Sequence, residues 1–196
     1  GGAGMAPLRA QIMHMTKTGG MSKGQNIDPD VFTDPISGKT YLYWGNYYMA
    51  VCELNEDMVS IKPNTTRILI DNDTYYSEAA HVFYRNGYYY FTWSKNDTRS
   101  PEYQVRCVRT KSPVGPIEAS KSEVILCKKP EQGIFGTGHH SILSLPDKDE
   151  WRIIYHRFKF PDAVTMGRNA GFHREVCFDK LEFDENDSII EVIPTL

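Results

Sequence analysis

Residues 77–94 read SEAAHVFYRNGYYYFTWS. Two runs of aromatic and β-branched residues flank Asn86–Gly87, and an Asn-Gly pair between such runs is typical of a type I′ β-hairpin. Glu78 stands directly before the first run, with no neighbouring cation to pair with it. The stretch therefore predicts a buried hairpin that begins at an unpaired carboxylate.

Two other stretches align with this hairpin, namely 27–45 (IDPDVFTDPISGKTYLYWG) and 138–156 (GHHSILSLPDKDEWRIIYH). Their anchors Val31, Val82 and Ile142 follow one another at offsets of 51 and 60 residues. After each hairpin we expect a third strand, which carries Cys52, Cys107 or Cys177, and then a short fourth strand. A four-stranded antiparallel unit repeated at about 50 residues is typical of a β-propeller blade.

The rest of the chain also favours strands. Short runs rich in Tyr, Val, Ile, Phe and Trp alternate with Gly, Asn, Asp and Pro, whereas helical periodicity is scarce. We expect an all-β protein with under about 10% helix, well below the usual third. The expected strands are Thr40–Trp44, Tyr47–Leu54, His81–Tyr84, Tyr88–Trp93, Tyr103–Arg109, Ser141–Leu145, Trp151–His156 and Arg174–Phe183.

Composition excludes several classes of protein. The 196 residues carry a net charge of −3, with 24% charged and 40% hydrophobic residues, which fits one globular domain. This charge gives no reason to expect nucleic acid or an anionic membrane as a partner. No apolar run reaches the roughly 20 residues that span a bilayer. The cellular compartment stays open between the cytoplasm and export by a signal upstream of Gly1.

The four cysteines show neither a Cys-x-x-Cys pair nor the spacing of a zinc site. Three lie inside expected strands and Cys127 follows one. We expect all four to be buried free thiols, because unpaired cysteine is readily buried.

Three polar residues occupy similar positions in the repeat. Asp28 stands three residues before Val31, Glu78 four before Val82, and His139 three before Ile142. In a propeller the first strands line the central channel and their starts meet at one face. Each residue alone could be a turn or cap residue, but together they predict an axial pocket with two carboxylates and an imidazole.

The chain resembles glycoside hydrolase family 43, whose members are five-bladed propellers that cleave α-L-arabinofuranosides and β-D-xylosides. The resemblance runs from about Gln25 to Thr195. It rests on NIDPDVFTDPISGKTYLYWGN, SEAAHVFYRNGYYYFTWSKNDTRSPEYQVR, SPVGPI, GTGHHSILSLPDKDEWRIIYHRF and GRNAGFHREVCFDKLEFDEND, in the family's order. It implies inverting hydrolysis, in which one carboxyl group protonates the leaving oxygen and another activates water.

The resemblance also implies roles for single residues. Glu78 corresponds to the general acid, and Asp28 to the carboxylate that orients this acid and keeps it protonated. His139 corresponds to a histidine that reaches a central cation, usually calcium, largely through water. Arg174 corresponds to an arginine that binds the sugar in the first subsite, although a surface ion pair is its other explanation.

Four more side chains are candidates for sugar binding. Asp97 and Arg99 lie in a loop typical of arabinofuranosidase-like members, and either they bind sugar hydroxyls or they form a salt-bridged turn. Trp93 and Trp44 end equivalent second strands, where they are core residues or sugar-stacking platforms. Alternation along the strands points Asp30 and His140 away from the pocket, so we expect no chemistry from them.

One part of the family's pattern is not found. The catalytic base of the family is an aspartate in the first blade, whereas residues 1–27 contain no Asp or Glu. Residues 1–24 are expected to be an expression scar (Gly1–Gly4), a linker and the end of a missing first blade. Residues 25–196 are expected to form an incomplete propeller of about four blades, whose exposed edge invites self-association.

The function expected from these features is inverting hydrolysis of α-L-arabinofuranosides in arabinan or arabinoxylan side chains. The alternatives are a β-D-xylosidase of the same family and a non-catalytic carbohydrate-binding remnant. The chain could be a fragment of a longer hydrolase, a natural binding protein, or a chain completed by another that supplies the first blade. In each case we expect this chain to be nearly silent in catalysis, since it lacks the base.

Overall fold

The computed structural model describes residues 24–145 and 147–195. These residues form eleven strands in three antiparallel sheets, together with four 3-10 helices of three to six residues and no α-helix. The expectation of an all-β protein with little helix is confirmed. Within the described part, no helix is both long and apolar enough to cross a membrane.

Each sheet contains one of the three aligned hairpins. The first sheet holds β1 (Asp30–Thr33), β2 (Thr40–Trp44), β3 (Tyr48–Glu53) and β4 (Arg67–Asp71). The second holds β5 (Glu78–Arg85), β6 (Tyr88–Lys95), β7 (Gln104–Thr110) and β8 (Glu123–Leu126). The third holds β9 (Gly138–Ser144), β10 (Trp151–Phe158) and β11 (Arg174–Leu181).

The strands of each sheet pair in chain order, as expected of propeller blades. Asn86 and Gly87 between β5 and β6 both have positive φ, at 48° and 80°, as a type I′ turn requires. Cys52, Cys107 and Cys177 lie on β3, β7 and β11, the third strands, as the repeat predicted.

Two apolar layers hold the sheets together. Between the first and second sheets, Tyr43 and Met49 pack with Val82, Phe91 and Trp93. The second and third sheets meet in another cluster, formed by Tyr90, Val105, Leu126, Ile142, Ile153 and Tyr155. Because each sheet packs face to face on the next, the first strands β1, β5 and β9 come together along one axis.

The chain departs from the expected repeat after β11. No fourth strand joins the third sheet among the described residues, and the chain instead returns to the second sheet, where the Val192 amide donates to the Ile125 carbonyl at 2.8 Å. The described residues thus form three of the about four blades expected. Residues 1–23, which were expected to hold the linker and the end of another blade, lie outside the described residues.

The expectation for the cysteines holds in part. All four are free thiols, and Cys52 and Cys107 are buried. Cys127 and Cys177 are only half-buried, so the prediction of burial was wrong for these two. Cys127 lies just past the end of β8 and Cys177 is on the last strand of its sheet, and both positions leave part of the thiol in contact with solvent.

One face of the third sheet is apolar and exposed. Leu143, Val176 and Phe178 alternate outward along β9 and β11, and 70% of Phe178 is accessible to solvent. An exposed apolar sheet face favours association. Self-association of the chain stays a prediction.

The first strands β5 and β9 contain matching β-bulges. Three residue steps from Glu78 to His81 oppose two steps from Ser94 to Thr92 on β6. The same mismatch occurs on β9, where the steps from Gly138 to Ser141 oppose those from His156 to Ile154 on β10. A bulge turns the strand locally and changes the direction in which its side chains point.

A buried histidine makes the fold sensitive to acid. His140 lies against Thr92, with Nε2 and Oγ1 2.6 Å apart, and burial lowers the pKa of its imidazole well below the usual 6.5. His81 and His139 lower this pKa further. His140 is therefore neutral in the folded protein, whereas it gains a proton in the unfolded chain below pH 6.5.

We predict that the free energy of unfolding is highest above pH 6.5 and falls as the pH decreases below it, because protons then bind the unfolded state more strongly. His140→Asn keeps a polar partner for Thr92 and removes this titration. Urea denaturation at pH 7.5 and pH 5 measures the effect, and the variant should lose less stability between these values than the unaltered protein. An equal loss in both proteins would contradict the prediction.

Candidate active site

Asp28, Glu78 and His139 come together at the start of the first strands, although 50 to 60 residues separate them in sequence. One ligand atom from each residue lies within 4.8 Å of the others. Nε2 of His139 is 3.8 Å from Oδ1 of Asp28. The structure therefore places the three residues in one cluster, as the repeat predicted.

The local backbone explains this convergence. Asp28, Ala79 and His139, each three residues before the strand anchor, all have left-handed backbone with φ of 55°, 58° and 50°. Asp tolerates this conformation better than most residues, as does His, and Ala has a short side chain. The repeated left-handed residue turns the chain at the same point of each first strand, and in β5 and β9 it coincides with the bulge.

Two neutral donors hold the Glu78 carboxyl group. The Tyr103 hydroxyl donates to Oε1 at 2.7 Å and the Asn46 amide donates to Oε2 at 2.9 Å. Tyr103 is completely buried, and burial followed by the charge of Glu78 raises the pKa of its hydroxyl far above the usual 10. Tyr103 thus remains a neutral partner of the carboxyl group over the whole working range of pH.

The second oxygen of Asp28, Oδ2, is buried and has no hydrogen-bond partner among the described residues. A buried acceptor without a partner is costly, so it fits a site that is completed by a donor or a cation from outside the chain. With His139 it suits a calcium ion that keeps most of its water, because calcium takes six to eight oxygen ligands and the cluster supplies few. A calcium ion bound directly to Glu78 would oppose a role of this residue as an acid.

A cleft of about 870 Å³ lies beside this cluster and is lined by one of its members, Glu78. Glu78, Asn46 and Tyr47 line one side of it. The loop from Asn96 to Arg99 also lines it, as do Gly24, Gln25, Ser77, Gly171, Phe172 and Arg174. The volume lies in the range of small-ligand sites, and the lining combines aromatic and charged groups.

Arg174 is held at the cleft by neutral groups. Its guanidinium donates to Oγ1 of Thr98 at 3.1 Å and to Nε2 of His156 at 3.0 Å. Within residues 24–145 and 147–195 it forms no ion pair with a carboxylate, which disfavours the surface ion pair considered above. Its charge is therefore free to bind a ligand.

His156 belongs to the site but was not anticipated from the sequence. Burial, followed by the charge of Arg174, lowers the pKa of this imidazole to about 3, so it accepts from Arg174 as a neutral ring. The ring also stacks on Tyr103, with centroids 5.6 Å apart and planes at 8°. His156 thus connects the arginine of the site to the tyrosine that holds Glu78. Its position as the last residue of the aligned stretch 138–156 was the available sequence signal.

Asp97 and Arg99 line the cleft but are bound to each other. The guanidinium donates to both carboxylate oxygens, at 2.8 and 2.5 Å, and the Arg99 amide donates to Oδ1 at 2.8 Å. This pairing lowers the pKa of Asp97 to about 2. The salt-bridged turn is therefore the alternative that the structure contains, and sugar contact from its exposed edge stays a prediction.

The expectation of a sugar platform at Trp93 is wrong. Its ring is completely buried between the first two sheets and its Nε1 donates to the Tyr75 carbonyl at 2.7 Å. Trp44 is also buried, with Nε1 3.3 Å from the Asn26 side chain. Both tryptophans are core residues, because the second strand of each hairpin is covered on both faces. Asp30 and His140 contribute no group to the cluster, as expected.

The propeller sheets, with two carboxylates and an imidazole clustered beside a cleft, define a class of protein, a β-propeller with a candidate polar site where its first strands begin. Comparison with known proteins gives the family. The model of glycosyl hydrolases family 43 matches residues 7–189, and the chain belongs to this family.

Three relatives illustrate this membership. The β-D-galactofuranosidase xynD of Aspergillus niger is 32% identical over 171 residues, which are 87% of this chain and 46% of the relative. A probable arabinan endo-1,5-α-L-arabinosidase D of Emericella nidulans is 31% identical over 108 residues, 46% of this chain and 28% of the relative. A solved thermostable family-43 glycoside hydrolase is 26% identical with a TM-score of 0.71, covering 86% of this chain and 58% of that one.

The chain therefore spans about half the length of the first of these curated relatives, and less of the second. The expected family and the propeller fold are both confirmed by these matches.

We predict that His156→Ala weakens sugar binding on the order of 10-fold, since Arg174 loses the acceptor that orients it. Arg174→Ala should have a similar effect. Because the two residues act as one unit, the affinity of the double variant should be no lower than that of the single variant with the lower affinity. Calorimetric titration with an arabino-oligosaccharide measures these affinities. His173→Ala, at the exposed neighbour of Arg174, is the control and should bind normally; additive losses would contradict the coupling.

Proposed function

We propose that this chain acts in inverting hydrolysis of α-L-arabinofuranosides, with Glu78 as the general acid. The observation that supports this most is the environment of Glu78. Its carboxyl group lies at the cleft between Tyr103 and Asn46, with one oxygen within 4.8 Å of the Asp28 carboxylate. A carboxyl group held in this way can donate its proton to a leaving oxygen in the cleft.

Asp28 supports the acid without replacing it. One of its oxygens lies within 4.8 Å of Glu78 and of His139, so Asp28 can orient the acid. The Arg174 guanidinium, which Thr98 and His156 hold at the cleft wall, would bind the hydroxyls of the cleaved sugar. Calcium, if bound near His139 and Asp28, would supply a fixed positive charge at the base of the cleft.

The furanoside preference is supported by the relatives. Of the curated relatives described above, one is named a β-D-galactofuranosidase and the other a probable arabinan endo-1,5-α-L-arabinosidase. The match to the arabinofuranosidase-like loop 94–103 agrees with this preference. We therefore place arabinofuranosides ahead of xylosides as substrates.

The described residues supply no suitable catalytic base. Besides Glu78, the carboxylate that lines the cleft is Asp97. Its pKa of about 2 and its two bonds to Arg99 make it a weak base, poorly able to take a proton from water. We propose that the base comes from a segment outside this chain, in a longer protein or in a second chain.

We predict that the chain as given hydrolyses p-nitrophenyl α-L-arabinofuranoside at least about 10²-fold more slowly than a protein that also carries the upstream blade, because general-base assistance contributes roughly 10²–10⁴-fold. The β-D-xyloside serves as the comparison substrate in the same assay. Equal rates in the short and the long protein would contradict the assignment of the base, and faster xyloside hydrolysis by the long protein would contradict the preference for arabinofuranosides.

In the longer protein, Glu78→Gln should nearly abolish hydrolysis of arabino-oligosaccharides and reduce hydrolysis of aryl glycosides with good leaving groups much less. The reason is that only a poor leaving group needs protonation. The ratio of kcat/KM for the two kinds of substrate measures this difference. Glu123→Gln, on β8 and remote from the cleft, is the control and should leave the ratio unchanged; a uniform loss across substrates in Glu78→Gln would argue against a role as the acid.

A further inference from the structure

Tyr47 occupies an unfavourable backbone conformation at the edge of the cleft. Its φ is 63°, in the left-handed region, where a bulky residue is an outlier. Most of the other left-handed residues besides glycine are Asn, Asp or His, or carry the short side chain of alanine. Tyr47 and Met58 are the two long side chains among the described residues in this conformation.

The conformation of Tyr47 is fixed by its surroundings. Its amide donates to the Ser77 carbonyl at 2.7 Å, and its carbonyl accepts from the Asn72 amide at 2.9 Å. Ser77 directly precedes Glu78, and Asn46, which precedes Tyr47, donates to Glu78. The same short segment therefore positions both the carboxyl group of the acid and the phenol ring beside it.

The ring itself faces the cleft. Tyr47 lines the cleft together with Glu78 and Arg99, and 52% of the residue is exposed to solvent. Its phenol lies near enough to Arg99 to raise the pKa of that guanidinium slightly, after the larger effect of Asp97. A strained residue that leaves an aromatic ring exposed in a cleft gains little for stability, and such strain is concentrated at functional sites.

We propose that Tyr47 is a specificity-determining residue that stacks on the leaving-group sugar, the unit on the acid's side of the cleaved bond. This inference rests on the function proposed above. Glu78 must reach the oxygen between the two sugars, and Tyr47 is attached to the segment that holds Glu78 from one side. Its ring offers an apolar face to the sugar's carbon atoms and a hydroxyl to its oxygens.

The proposal predicts that one variant is more stable than the unaltered protein but binds the longer ligand more weakly. Tyr47→Asn places a residue that accepts the left-handed conformation, so the Tm should rise by about 2–4 °C. The same change removes the ring, so affinity for 1,5-α-L-arabinotriose should fall about 2- to 10-fold. Affinity for methyl α-L-arabinofuranoside, which has no second sugar, should stay the same.

Met58→Asn is the matched control. Met58 has φ of 59° and is also about half exposed, but it lies in the loop 55–60, away from the cleft. This variant should show a similar rise in Tm and bind both ligands with unchanged affinity. Tyr47→Phe keeps the ring and should retain affinity for the trisaccharide, which separates stacking from the effect of the backbone.

Calorimetric titration and thermal unfolding of these proteins test the proposal. Weaker trisaccharide binding in Tyr47→Asn alone, with the monosaccharide unaffected, supports it. Unchanged trisaccharide binding in Tyr47→Asn overturns it while the proposed function stands. Equal losses for both ligands also overturn it, since they would place Tyr47 at the cleaved sugar. If the unaltered protein binds neither ligand, the proposed function fails and this inference fails with it.

Discussion

One imidazole joins the first strands of all three sheets. His81 on β5 contacts the Asp30 carboxylate of β1 through Nδ1 at 3.1 Å, and its Nε2 accepts from the Ile142 amide of β9 at 3.1 Å. Nε2 also lies 3.2 Å from the Ile142 carbonyl, and a carboxylate can only accept, so Nδ1 carries the proton that it donates to Asp30. The other oxygen of Asp30 accepts the Val82 amide at 3.0 Å, which closes the junction.

This junction sets the position of the candidate active site. Asp30 lies two residues after Asp28, Ile142 lies three after His139, and His81 lies three after Glu78. Because these three points are fixed relative to each other, only a short piece of two or three residue steps separates each site residue from a fixed point. The left-handed residue in each piece then turns the side chains of the cluster together, and Tyr103 and Asn46 complete the environment of the acid.

The repeat in the sequence was enough to predict the all-β fold, the hairpins and the meeting of Asp28, Glu78 and His139. It did not reveal which side chains are covered, so Trp93 was expected to contact sugar although the second sheet is packed on both faces. It also left Asp30 and His156 without a role, because their contacts come from residues distant in sequence. The strain at Tyr47 depends on two tertiary hydrogen bonds, in which its amide donates to Ser77 and its carbonyl accepts from Asn72, and no local pattern shows them.

The protonation of His81 tests this account most directly. Nitrogen-15 NMR of histidine-labelled protein at pH 7.5, with His81→Asn to assign the signal, identifies which ring nitrogen carries the proton. The account predicts that Nδ1 of His81 carries a proton, which it donates to Asp30. An Nδ1 without a proton, or rapid exchange of the proton between the two ring nitrogens, would contradict the junction between the three sheets and remove the physical basis for the convergence of the site.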